Sequence, residues 1–225
     1  MSLGNSISRN AIILGTFALL TAAVLAGTQL LTKDRIAAAQ RKAAEQALLE
    51  IISSLPDKHD NDMLAESLEI PTSLQEKLFW RDSEKVHVAK RGDKVLAYLV
   101  PATAPDGYSG DIKILMGITP EGTVSGVRVL AHKETPGLGD KVELKKSDWI
   151  LSFTGRSLTP QNESDWAVKK DGGDFDQFTG ATITPRAVIK QVKTSVQAFR
   201  QWLNNQPSVE QREAAPIAKV ESHHE

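Results

Sequence analysis

The chain has 225 residues, a formal net charge of −1 and 40% hydrophobic residues, which is enough for one or two domains with a buried core. The near-neutral charge without a basic stripe argues against nucleic-acid binding. The lack of cysteine excludes disulfides, iron–sulfur ligation and thiol catalysis by this chain. It does not decide the compartment, because a cysteine-free domain tolerates oxidising and reducing surroundings equally.

An uncharged apolar run of 21 residues, 11–31, predicts a membrane anchor. As a helix it is about 31 Å long at about 1.5 Å per residue. A cleaved signal peptide is the rival interpretation. The run exceeds the usual apolar region of about 7–15 residues, and the best small-residue cleavage site, 37–39, follows three charged residues. We therefore expect the anchor to be retained.

The cations around the anchor predict its orientation poorly. Arg9 precedes it, and four basic residues follow it closely: Lys33, Arg35, Arg41 and Lys42. This bias alone would keep the C-terminal part in the cytoplasm, although the rule weakens for long translocated domains.

Beyond the anchor, residues 32–53 carry apolar side chains at helical spacing and predict an amphipathic helix that ends near Pro56. The polar residues 59–62 match no standard cation site, so we expect a solvated loop. Two β-hairpins are predicted next. Their strands are residues 86–89 with 95–100, and residues 112–118 with 124–130.

The histidines of this region, His87 and His132, are isolated in the sequence, and we expect them on the surface or on a strand face rather than on a metal. Residues 185–204 predict a helix whose buried face carries apolar residues at helical spacing. These are Val188, Val192, Val196, Phe199 and Leu203. Residues 205–225 lack periodicity and predict a disordered tail. The fold class is α+β: one transmembrane helix, then a domain of antiparallel strands and packed helices.

A hydroxyl-rich turn, residues 176–185 with the sequence DQFTGATITP, leads directly into the last predicted helix. We expect Thr184 as its N-cap and Pro185 at the first helical position. The N–H groups and the dipole at such a helix start favour a phosphate. A simple capped turn explains the same residues, and this pattern alone leaves both possibilities open.

The run Asp-x-x-Thr-Gly-Ala-Thr in this turn resembles the flavinylation motif of proteins that carry FMN on a threonine through a phosphoester. Together, residues 102–110, 132–141 and 166–184 resemble the G-type subunit of the Rnf electron-transport complex, called Rsx in some bacteria. The similarity covers essentially the whole chain except the tail. One departure is Thr179, where many relatives carry serine, and the hydroxyl is kept.

The resemblance implies a role for each residue of the turn. Thr182 is the threonine that carries FMN covalently. Gly180 allows close approach by the phosphate and the modifying enzyme, since it has no Cβ. Ala181 keeps the turn narrow. Thr179 and Thr184 hydrogen-bond the phosphate or cap the helix.

Asp176 is expected to position the motif or to be recognised by the flavin transferase. In residues 134–139, Thr135 and Leu138 are expected to border the isoalloxazine ring, with Glu134 orienting the loop. Tyr108 is expected to form a further wall of the flavin-binding site. A tight Pro- and Gly-containing connection is the alternative interpretation of these loops.

The resemblance also implies an organisation and partners. Residues 1–10 are a short cytoplasmic N-terminus, 11–31 the anchor, 32–204 a periplasmic FMN-binding domain and 205–225 the tail. The protein then lies in the bacterial inner membrane, against the charge bias. Its partners are the lipid bilayer, the other membrane and peripheral components of the complex, and a flavin transferase of the ApbE type.

The sequence contains no paired carboxylates, Ser–His–Asp arrangement or nicotinamide fingerprint that would suggest a stand-alone catalyst. The predicted function is electron transfer within an ion-translocating oxidoreductase, with no catalytic residues and no metal of its own. Three alternatives stay open: the related C-type subunit of the sodium-pumping NADH:quinone reductase, a tethered protein that binds a phosphorylated ligand reversibly, and a structural adaptor.

Overall fold

A computed structural model describes residues 3–206, except residues 54, 56, 64, 82 and 83. Apart from its first two residues, the predicted tail lies outside this part of the chain. The chain divides into two compact units between Gln46 and Ala47. Helix α1, Leu3–Ile52, makes up the first unit and contributes its last turns to the second.

In the described part of the first unit, the stretch Arg9–Ile36 is long and apolar enough to cross a membrane. Its threonine hydroxyls are hydrogen-bonded within the helix. The hydroxyls of Thr16, Thr21 and Thr28 each donate to the carbonyl four residues earlier, at 2.7–2.8 Å. Such internal hydrogen bonding suits a helix in lipid, where no water is available to a polar group.

The second unit is built on a five-stranded antiparallel sheet whose strands follow one another in chain order. The strands are β1 Ser67–Leu68, β2 Val86–Arg91, β3 Lys94–Ala104, β4 Ile112–Ile118 and β5 Val124–Ala131. Helix α2, Thr72–Lys77, follows β1, and helix α3, Ile183–Asn204, closes the domain. Between β5 and α3 the chain forms short 3₁₀ helices. They are Gly139–Val142, Asp148–Phe153, Glu163–Asp165 and Lys169–Asp171.

These elements confirm the α+β class and both predicted hairpins. The predicted strand at residues 112–118 has the observed bounds, whereas β3 runs four residues beyond its predicted end. The two-residue β1, the six-residue α2 and the 3₁₀ helices were not predicted. Elements this short carry too few residues to show a period in the sequence.

The sheet has a core on each face, because successive strand residues point to opposite sides. On one face, Val188, Val192, Val196 and Phe199 of α3 are fully buried, as predicted, while Leu203 stays half-buried. On the other face lie the last turn of α1, residues 48–52, and the short segment around Met63. A Cβ at Gly117 would lie 2.5 Å from Cγ2 of Ile51, so the small residue is needed for close packing there.

The strand register brings two loops to one end of the sheet. Ala104, the last residue of β3, pairs with Ile112 of β4, and Lys113 pairs with Ala131, the last residue of β5. The loops that follow β3 and β5 therefore leave the sheet side by side, and the candidate site is at this end.

Candidate functional site

Three segments meet at this end of the sheet. We name them the 105–110 loop, which follows β3, the 132–139 loop, which follows β5, and the 176–184 turn, which leads into α3. The sequence analysis placed every candidate residue in one of them. What joins them is one carboxylate, that of Glu134.

Glu134 is buried, with 4% of its surface exposed, and it hydrogen-bonds to both other segments. Its Oε1 accepts from the backbone N–H of Ser109 at 2.9 Å. Its Oε2 accepts a short hydrogen bond from the hydroxyl of Thr184. Burying a carboxylate is costly unless such partners are present, so the three segments are held together by a group that needs all of them.

Two glycines close tightly around this carboxylate. A Cβ at Gly139 would lie 2.9 Å from Oε2 of Glu134 and 2.7 Å from the hydroxyl oxygen of Thr184. A Cβ at Gly107 would lie 3.0 Å from Oε1 of Glu134 and 2.2 Å from a backbone oxygen. The junction thus has no room for a larger side chain at either position.

The start of α3 differs from the prediction. Thr182, and not Thr184, is the N-cap, and Ile183 is the first helical residue. Thr184 is fully buried and donates its hydroxyl to Glu134, so it does not cap the helix. Pro185 is the third helical residue, where its missing N–H also costs nothing, since the first turn has no intrahelical acceptors for its N–H groups.

Thr182 itself is half-buried, and its side chain makes no capping hydrogen bond. Its carbonyl accepts from the N–H of Arg186 at 3.3 Å, which begins the helical hydrogen-bond ladder. Its hydroxyl is therefore at the positive end of α3 without being used in the cap.

The residues before Thr182 form a turn that needs glycine. Gly180 has φ +79°, in the left-handed region that side chains disfavour. Leu138 of the 132–139 loop is nearby, because a Cβ on Gly180 would lie 3.7 Å from its Cδ2. Ala181 donates its N–H to the carbonyl of Phe178 and packs on the core, and both contacts fix the position of the turn.

Asp176 lies at the exposed start of the turn. Its carboxylate pairs with Lys169 at 2.7 Å, and its backbone carbonyl accepts from the indole N–H of Trp149 at 2.7 Å. Trp149 in turn packs edge-on against Phe178. The aromatic core thus positions the turn, and nothing in the sequence pattern pointed to Trp149.

Three other predicted residues are exposed at the surface of this junction. Tyr108 is 69% exposed, and Thr135 and Thr179 are also exposed. Leu138 shows 41% of its surface, and its N–H bonds to the carbonyl of Thr135. One exposed apolar side chain and three exposed hydroxyl-bearing side chains therefore lie in the three segments that form the junction.

Ion pairs tie α3 to the segments beside it. Arg186 makes two hydrogen bonds of 2.6 Å to Asp171, and Lys190 contacts Asp106 at 2.6 Å. The guanidinium of Arg186 beside Asp171 holds the pKa of that carboxyl below its ordinary value. These cations are thus already paired and contribute little free positive charge to the helix start.

His132 was expected on the surface or a strand face, but it is largely buried just after β5. Its Nδ1 accepts from the N–H of Glu134 at 3.0 Å, and its Nε2 lies 2.6 Å from Oε1 of Glu143. Its position two residues before the central glutamate is the one sequence signal that could have pointed to it. Among the described residues no group of three or more His, Cys, Asp and Glu is placed to hold a metal.

Chemically, the helix start fits a phosphate ester. The N–H groups of the first turn have no helical acceptor, the dipole favours an anion, and the unused hydroxyl of Thr182 lies beside them. A cavity of about 410 Å³ lies elsewhere, between residues 158–163 and the C-terminal half of α3. We assign the candidate site to the junction, because the residues that the sequence analysis singled out meet there.

We expect Thr184→Val to destabilise the domain by about 1–3 kcal/mol, since it removes a hydrogen bond to a buried carboxylate. Chemical denaturation of the full chain, followed by tryptophan fluorescence, measures this, because all four tryptophans lie in the second unit. Thr179→Val is the matched control. Its side chain is exposed, so an equal loss in both variants would contradict the assigned role of Thr184.

Comparison with known proteins identifies the family. Residues 107–197 match the model of the FMN-binding domain, and residues 1–51 match that of the RnfG N-terminal region. The similar proteins include one from Haemophilus influenzae, 50% identical over 91% of this chain and 94% of the relative. Others are from Pasteurella multocida, 47% identical over 87% and 95%, and Pseudomonas aeruginosa, 47% identical over 86% and 89%.

All three relatives carry the name of the G-type subunit of an ion-translocating oxidoreductase complex. The identity extends over both the N-terminal helix and the domain that carries the candidate site. The predicted resemblance is thereby confirmed, and this chain belongs to the RnfG family, the G-type subunits of ion-translocating oxidoreductase complexes.

Proposed function

We propose that this protein is a membrane-anchored flavoprotein that relays electrons within a complex coupling electron transfer to ion translocation. Family membership supports the complex, and the FMN-binding domain match, which spans the candidate site, supports the cofactor. The same family implies the other membrane and peripheral components of the complex as its partners.

FMN is held covalently on Thr182 in this proposal. The observation that carries it is the placement of the Thr182 hydroxyl at the N-terminus of α3, outside the capping hydrogen bonds. A hydroxyl is a weak nucleophile, so a flavin transferase of the ApbE type must catalyse the step. The Thr182 Oγ–P bond forms as a phosphoanhydride bond of a flavin dinucleotide breaks, the nucleoside monophosphate leaves, and the hydroxyl proton is released.

The residues around Thr182 hold the resulting phosphodiester, which keeps one negative charge. The backbone N–H groups of Ile183 and Thr184 donate to it, and the dipole of α3 stabilises it. Thr179 adds a hydroxyl from the exposed side of the turn. Gly180 and Ala181 keep the approach open and the turn narrow, and Asp176 serves in recognition by the transferase.

Thr135, Leu138 and Tyr108 border the isoalloxazine ring, which supplies reversible electron transfer when bound. Leu138 is beside Gly180 and offers an exposed apolar surface, while Thr135 offers a hydroxyl. Glu134 holds the 132–139 loop in position. An exposed, tethered flavin suits a relay, because redox partners reach it and the carrier never needs to release it.

We expect Leu138→Asp or Leu138→Arg to change the flavin spectrum and midpoint potential while leaving covalent attachment intact. The reason is that Leu138 contacts the ring and not the phosphate. The control is Leu151→Asp, since Leu151 is equally exposed, at 40%, and lies outside the three segments. An unchanged spectrum and potential in both Leu138 variants would remove this loop from the site.

We place the protein in the bacterial inner membrane, crossing once, with residues 32–204 on the periplasmic side. The apolar helix and the family support the anchor, whereas the charge bias opposes the orientation. A C-terminal alkaline phosphatase fusion should be active in cells, and a cytoplasmic reporter fusion at the same residue inactive. The reverse pattern would show that the domain faces the cytoplasm.

The proposed function is tested by a denaturing gel of the membrane fraction viewed under ultraviolet light. A fluorescent band at the mass of this chain is expected only when the transferase is coexpressed. A protein that binds a phosphorylated ligand reversibly, or a structural adaptor, gives no such band. Fluorescence absent in the presence of an active transferase would contradict the proposal.

A further inference from the structure

We propose that His132 is a positioning residue of the flavin site, acting as the neutral imidazole with its proton on Nε2. This inference rests on the proposed function for its link to FMN, and on the geometry of the junction for everything else. The described hydrogen bonds of His132 go to Glu134 and Glu143, and not to Thr182 or the 176–184 turn. It acts through Glu134, two residues along the chain.

Hydrogen bonds at both ring nitrogens define the tautomer. The backbone N–H of Glu134 donates a hydrogen bond to Nδ1. Nδ1 is therefore the acceptor and carries no proton. Nε2 then carries the proton and donates it to Oε1 of Glu143 at 2.6 Å. The carboxylate of Glu143 thus selects the tautomer that leaves Nδ1 free to accept.

The position of the ring is fixed by burial. Only 9% of the His132 side chain is exposed, whereas Glu143 is 37% exposed. A ring in this setting, bonded at both nitrogens, has one orientation, and it holds the backbone of Glu134 in one place. The contact resembles the turn that an Asn or Asp side chain makes with the N–H two residues on.

The carboxylate of Glu134 connects the backbone that His132 holds to the two other segments of the junction. The carboxylate of Glu134 accepts from Thr184, the second residue of α3, and Thr182 is the N-cap of the same helix. The other oxygen holds Ser109 of the 105–110 loop. A displaced Glu134 backbone would therefore loosen both the helix start that binds the phosphate and the loop that carries Tyr108.

Two substitutions of His132, by Asn and by Gln, distinguish the roles of the two ring nitrogens. Asn at position 132 keeps an acceptor near the place of Nδ1, and Gln keeps a donor near the place of Nε2. The proposal expects His132→Asn to preserve the site and His132→Gln to damage it. His87→Gln is the matched control, since His87 is a half-buried strand histidine that bonds the carbonyl of Met63 instead.

The first readout needs no flavin. In the full chain made without the transferase, the amide of Glu134 should exchange slowly in the wild type and His132→Asn, and at least about tenfold faster in His132→Gln. Nitrogen chemical shifts of the wild-type ring should report an unprotonated Nδ1 at neutral pH. A protonated Nδ1 in the wild type, or equal exchange at Glu134 in two variants that both fold, would overturn the proposal. The ring shifts decide it on their own if neither variant folds.

The second readout is the rate at which the transferase attaches FMN to the chain. We expect His132→Gln to be roughly three- to tenfold slower than the wild type, and His132→Asn and His87→Gln to stay within about twofold. Equal rates for Asn and Gln at position 132 would remove His132 from this role. Failure of the wild type itself to take up FMN would instead refute the proposed function, and the amide exchange would still decide the role of His132.

Discussion

Thr182→Val should abolish covalent FMN on this protein while leaving its fold intact. Only a hydroxyl at this position provides the oxygen of the phosphoester, and valine is nearly isosteric with threonine. The side chain is half-buried and makes no capping hydrogen bond, so its loss leaves no partner unsatisfied. Intact mass after coexpression with the transferase measures the result, and tryptophan fluorescence checks the fold.

Two further substitutions, one at Thr182 and one at Thr179, give smaller expected effects for comparison. Thr182→Ser should retain some attachment, since the nucleophile survives while the methyl group that restricts its rotamer is lost. Thr179→Val should weaken attachment without removing it, because one hydrogen bond is worth about 1 kcal/mol. FMN still present on the Thr182→Val protein would contradict the assignment of the acceptor.

Glu134→Ala should cost the domain about 2–5 kcal/mol and also reduce FMN attachment. The change leaves the N–H of Ser109 and the hydroxyl of Thr184 without their acceptor and opens a cavity between three segments. Because the helix start loses its support, the phosphate site should become less ordered. Denaturant unfolding and the transferase rate, measured on the same preparation, give both effects.

Glu134→Gln is the control for this prediction. Its amide oxygen still accepts from Ser109, and its amide nitrogen can donate to the hydroxyl of Thr184, so most of the junction is kept. We expect it to lose much less stability than the alanine variant. Equal losses would show that the negative charge of the carboxylate, which glutamine lacks, holds the junction, and not the volume of the side chain.

The sheet and α3 were predictable from sequence because their signals are local. Nearly continuous apolar runs, each next to a turn that contains glycine, mark β3 and β4, and a helical period of valines marks the buried face of α3. The sequence did not decide which residue caps α3, since Thr182 and Thr184 are both able to cap and Pro185 is tolerated anywhere in the first turn. The burial of Thr184 decided the point, and burial is a tertiary property.

The site was predictable in its parts but not in its assembly. Family resemblance supplied the candidate residues of all three segments, yet the contact between Glu134 and Thr184 joins positions 50 residues apart. The roles of His132 and Trp149 depend likewise on partners distant in the chain or on backbone groups. No periodicity encodes such contacts, because they arise only once the strand register has brought the loops together.

The central claim, that Thr182 carries FMN, is tested most directly on the unaltered protein. Trypsin releases residues 171–186, a peptide that contains Thr179, Thr182 and Thr184. Fragmentation of this peptide from membranes with an active transferase should place the mass of FMN, less one water, on Thr182. The same mass on Thr179 or Thr184, or an unmodified peptide, would contradict it.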